Sequence, residues 1–207
     1  FLGTASANSS SISLLPLRPI EELPARELLD LVTRERYDLA LNLADSLIQS
    51  NPTSVEGYFF KLTVLNNRVI DYEDQSDLPE MMNAADSVVT MCERRIENGD
   101  SSALVRLYRG SAEGFWMIHD LRAGNYIDAI IHGTRAAGWL EDAVKIDSAC
   151  YDAYIGLGNY YYYKSRHSGV LISAGIVADR RKEGIKLLQL GSERGLLTSL
   201  AAKSSLA

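Results

Sequence analysis

Proline marks where this chain can and cannot be helical. All five prolines (Pro16, Pro19, Pro24, Pro52 and Pro79) fall in the first 79 residues, and residues 80–207 contain none. A proline in a helix interior costs ~3 kcal/mol, so a long proline-free stretch rich in Ala, Leu, Glu and Arg suits long helices. Short alternating β-branched runs closed by Asn-Gly or Asp-Gly turns, the marks of hairpin strands, are missing. The expected fold class is all-α.

Polar breaks divide the chain into helical blocks. These are Pro24–Arg34, Tyr37–Gln49, Val55–Val69, Leu78–Glu97, Ser101–Leu121, Tyr126–Ile146 and Asp152–Ser165, then a helix capped by Asp179 that reaches about Glu193. Leu196–Ala207 reads as a further helix with no terminator, which makes about nine in all and lets the chain continue. Short connections between them imply antiparallel pairs. Residues 1–22 read as a flexible segment and 23–207 as one helical domain. Within the segment, Ala5-Ser6-Ala7 fits a signal-peptide cleavage site. An arbitrary boundary before a polar linker fits as well, so the compartment tilts only towards periplasmic or secreted over cytoplasmic.

With 46% apolar and 23% charged residues, the 207-residue chain can bury a core without disulfides or metal. Its net charge of −6 argues against a protein that lives on nucleic-acid phosphates or anionic lipid. No apolar run reaches the ~18 residues of a spanning helix. Cys92 and Cys150 are too few for a disulfide framework, and read as buried core thiols or as one pair.

Tyr154-x-x-Leu157-Gly158-x-x-Tyr161 opens one block. Tyr37-x-x-Ala40-x-x-x-Ala44-x-x-Leu47 closes at Pro52, and Gly124-Asn125-Tyr126-x-x-Ala129 opens another. Small residues sit where helix backbones cross, with aromatics filling the groove beside them. This arrangement resembles the tetratricopeptide repeat, a helix-turn-helix unit of ~34 residues. Tyr58, Tyr108 and Tyr154 look like equivalent starts, although their spacing is longer than that unit and also suits a helical hairpin of the HEAT kind. The resemblance implies a right-handed α-solenoid of stacked pairs whose concave groove holds a protein or peptide.

Carrying the family's groove positions over from Tyr58, Tyr108 and Tyr154 yields Phe59, Thr63, Asn66, Arg106, Arg109, Trp116, Ile155, Asn159, Tyr162 and Arg166. Clamps for acidic C-terminal tails in this family need a groove lysine where Phe59 and Ile155 stand, so that function is not expected. Tyr160–Tyr163 reads as two core rings and two groove or solvent rings. The apolar insertion at residues 169–177 packs back on the array or covers the groove.

No nucleophile-and-base set, phosphate loop or metal motif appears, so neither enzyme activity nor a cofactor is expected. The leading expectation is a non-catalytic scaffold with an unknown protein or peptide partner. A second reading places His119, His132 and Glu113 in a small-molecule or enzymatic pocket near the insertion. A third is a structural subunit of an envelope or secretion assembly.

Overall fold

A computed structural model describes residues 19–73, 75–169, 173, 175–176 and 178–195. Eight α-helices and no strand occur among the described residues: α1 (Pro19–Thr33), α2 (Tyr37–Ser50), α3 (Val55–Tyr72), α4 (Leu78–Glu97), α5 (Ala103–Ala123), α6 (Tyr126–Ile146), α7 (Tyr151–His167) and α8 (Arg181–Arg194). The fold class is all-α. The signal-like Ala5-Ser6-Ala7, most of the 169–177 insertion and the block from Leu196 onwards lie outside the described residues.

Local chemistry sets several of the helix ends. Ser102 caps α5 by accepting the Val105 N–H, and Gly124, at φ +80°, ends it in the left-handed region that glycine tolerates. Pro79 occupies the first turn of α4, where its missing N–H is no loss. α1 begins five residues before the expected Pro24, which becomes an interior residue. The helix continues past it with the loss of one backbone bond.

Each helix packs on its predecessor and successor along the chain, most extensively α5 on α6 and α7 on α8. The partners run antiparallel. Gly57 near the start of α3 meets Ile48 near the end of α2, while Tyr37 at the start of α2 donates a hydrogen bond to Asp71 at the end of α3. α1, α3, α5 and α7 also touch in succession, whereas no even-numbered pair does so to the same extent. The odd helices therefore form an inner row and the even ones an outer row. The core runs between the rows, with Leu28, Leu62, Leu65, Met81, Val88, Cys92 and Val105 fully buried.

A spacing of 48 residues recurs through this arrangement. α3, α5 and α7 begin at positions 55, 103 and 151, and α4 and α6 at 78 and 126. The closest helix contacts follow the same step. A Cβ on Gly110 would lie 3.1 Å from the Ala136 carbonyl oxygen and 2.9 Å from Leu140 Cγ. One on Gly158 would lie 2.8 Å from the Gly184 oxygen and 2.7 Å from Leu188 Cγ. Each residue of the second set is 48 beyond its counterpart (110 to 158, 136 to 184, 140 to 188).

Candidate functional site

That step revises one alignment drawn from the sequence. Tyr58 and Tyr154 occupy equivalent positions two steps apart, but the position between them is Arg106, not Tyr108. The glycine that lets α5 approach α6 controls the register, and it is Gly110. The α5 counterparts of Ile155, Asn159, Tyr162 and Arg166 are therefore Leu107, Ser111, Gly114 and Ile118.

The ten groove candidates separate accordingly. Phe59, Asn66 and Arg109 are buried, at 5%, 4% and 7% exposure, so none of the three offers a surface to a ligand. Phe59 instead stacks on Tyr108 with ring centroids 4.4 Å apart, joining α3 to α5. Trp116 is half-buried against the His132 ring, 5.1 Å between centroids. Arg106 bonds the backbone oxygens of Asp100 and Ser102. Ile155 and Tyr162 lie against α8, where Gly191 and Gly184 make room for them. Asn159 and Arg166 are exposed, and Thr63 is partly so. Of the four neighbouring tyrosines, Tyr161 is buried, Tyr160 and Tyr162 are partly buried, and Tyr163 is 53% exposed.

Between α4, α5 and α6 the chain buries an ionic cluster that sequence reasoning placed only in part. Glu113, 1% exposed, accepts a hydrogen bond from Arg109 Nη1 at 2.6 Å, and its other oxygen lies 2.5 Å from His132 Nδ1. Arg109 Nη2 donates to Glu93 at 3.1 Å, and Asp120 lies 3.8 Å from His132 Nε2. Arg109 Nε, Trp116 Nε1 and His119 Nε2 are buried without a hydrogen-bond partner. Burial, and then the positive Arg122 three residues on, hold His119 below the ordinary histidine range against the opposing pull of Asp120.

The 48-residue step explains where the cluster sits. Leu65 and Ala84, Glu113 and His132, and Tyr161 and Arg180 hold the same two positions in successive hairpins. In the last pair, the Arg180 guanidinium lies 3.3 Å from the Tyr161 ring centroid, and Tyr161 donates to Glu141 at 2.6 Å. A glutamate on the buried stripe of α5 was the signal available in the sequence, because a buried carboxylate requires a cation. The sequence groups Glu113 with His132 in one reading, and the register shows why the two meet.

An open cleft of about 570 Å³ lies elsewhere, beside α4, lined in part by Tyr58, Ser87, Thr90, Met91, Arg94 and Asn98. Among the described residues no group of three or more His, Cys, Asp or Glu side chains could hold a metal ion. Cys92 and Cys150 are free thiols, and burial pushes both up to about 12. No helix among the described residues is long and apolar enough to cross a membrane. The chain matches no family model, no curated protein and no solved structure.

Proposed function

We propose that the chain is a tetratricopeptide-like repeat scaffold, non-catalytic, that holds an extended protein or peptide segment along its inner row of helices. The observation that carries this reading is the 48-residue recurrence of helix starts and backbone crossings. Units that pack only on their neighbours stack into an elongated array, and such arrays present a continuous inner surface. The step exceeds the ~34 residues of the family's unit. Long helices take up much of the difference, with α5 and α6 at 21 residues each.

In the revised register Thr63, Ser111 and Asn159 share one stripe of the inner row, flanked by Asn67, Phe115 and Tyr163. Hydroxyl and amide groups suit the backbone of an extended peptide, and rings suit its side chains. The test is affinity capture from the source organism's extract, comparing wild type with Thr63→Arg/Asn159→Arg. A partner retained by wild type and lost by the variant, with the helical circular dichroism unchanged, is the expected result. A partner that the variant holds equally well overturns the groove.

A second reading has one observation in its favour. The buried Nε1 of Trp116 has no hydrogen-bond partner beside the Glu113–His132 pair, as a donor to a small ligand would. A metabolite bound there at 100 times its Kd would add ~2.7 kcal/mol to stability, which a thermal-shift screen detects.

A further inference from the structure

Four exposed large apolar side chains gather at one place. Tyr126, Ile127, Ile130 and Ile131, in the first two turns of α6, are 66%, 76%, 69% and 42% exposed. Leu121 at the end of α5 adds to them at 48%. Ala129, Gly133 and Ala136 of α6 are buried, so the isoleucine stripe points away from the core. A contiguous exposed apolar patch marks a docking surface, because its contact with water is unfavourable until it is covered. The architecture does not demand it. One step earlier, the positions of Ile130 and Ile131 hold Met82 and Asn83, and one step later Ala178 and Asp179.

The outer helices on either side carry opposite charge. Asp86 lies on α4 with Glu73 in the turn before it, and Lys182 and Lys186 lie on α8. All four are exposed, and none makes a salt bridge among the described residues. Asp86 and Lys182 each stand 48 residues from Thr134, the α6 residue one turn beyond Ile130. The outward face thus reads acidic, apolar, basic, with the apolar part in the middle.

We propose that this face is a self-association surface, on which a second copy of the chain docks about a two-fold axis parallel to α6. Such an axis keeps each residue's height along the helices and reverses the order of the outer row. The two α6 helices then meet through their isoleucines, and α4 of each copy faces α8 of the other. Asp86 meets Lys182 twice, as an isologous interface requires. A second copy satisfies both signs of charge, whereas an anionic lipid surface would repel Glu73 and Asp86. The proposal concerns the outer face and does not depend on the peptide groove.

Sedimentation velocity on the wild-type chain from about 1 to 100 μM should show a concentration-dependent dimer. Ile127→Glu/Ile130→Glu should weaken it at least about 100-fold, since both side chains are central apolar anchors. Ile146→Glu, exposed at the opposite end of α6, should leave it unchanged. Asp86→Lys and Lys182→Glu should each weaken self-association, and mixing the two variants should restore a dimer, because every contact then pairs opposite charges. A chain that stays monomeric throughout overturns the proposal, and so does a dimer indifferent to the isoleucine substitutions. Binding of a monomeric wild type to phosphatidylserine-containing vesicles, lost in Ile127→Glu/Ile130→Glu, would overturn it in favour of lipid.

Discussion

Glu113 occupies a position that its neighbours in the array fill with Leu65 and Tyr161, and so has to carry its own neutralisation into the core. Arg109 supplies the opposite charge and His132 a ring nitrogen within hydrogen-bond reach, and removing the carboxylate would leave both facing an apolar side chain. Glu113→Leu should therefore cost about 3 kcal/mol in urea unfolding. Arg109→Leu/Glu113→Leu/His132→Ala should recover most of that loss. It reproduces side chains that other hairpins already use at these positions, namely Leu157, Leu65 and Ala84. His119 gives the pH dependence a sign. Its folded form binds a proton less readily than the unfolded chain does, so stability is full above the ordinary histidine range and falls as pH drops through it. Unfolding free energies at pH 7.5 and pH 5.5 should differ less in His119→Gln than in wild type.

Among the elements, the crossing of α7 and α8 tolerates least. A Cβ on Gly158 would come within 2.9 Å of the Leu188 backbone nitrogen as well as 2.8 Å of the Gly184 oxygen, so the helices themselves would have to separate. Gly158→Ala should lower stability by about 1–3 kcal/mol even after the gain in helix propensity. Gly156 is the instructive contrast. Its added Cβ would meet only the Leu140 side chain, chiefly Cδ1 at 2.4 Å, and that terminal methyl can turn aside. Gly156→Ala should be neutral or stabilising by up to about 1 kcal/mol, and thermal melts of the two variants separate the cases. Gly156-Leu157-Gly158 looks like one motif in sequence, yet its two glycines answer to different neighbours.

At the scale of the whole molecule, the inner and outer rows bury the thiols and leave two opposite surfaces of different chemistry. Cys92 lies fully buried in α4 and Cys150 half-buried before α7, both far less acidic than an exposed cysteine. Neither should react with Ellman's reagent at pH 8 until denaturant unfolds the chain, and both should then titrate. Prompt labelling of either thiol in native buffer would show that the array opens locally. The inner row offers a stripe of amides, hydroxyls and rings, and the outer row an apolar patch between opposite charges. Separate variants can therefore distinguish partner capture from self-association.

The sequence by itself determined the helices. Tyr126–Ile146 and Leu78–Glu97 agree at both ends, because proline, glycine and polar breaks act locally on the backbone. It also determined which faces are apolar. It did not determine register. Tyr108 stands two residues past Arg106, the position that matches Tyr58 and Tyr154, because aromatic identity is a weak marker, whereas close backbone approach at Gly110 is a property of two helices together. The burial of Phe59, Asn66 and Arg109 depended in the same way on helices distant in sequence. Only the tertiary structure could show that Glu113 meets His132 within hydrogen-bond distance with Arg109 alongside, or that the isoleucines of α6 face outward. Local patterns set where a chain turns; which residues meet is decided by packing, which no single element contains.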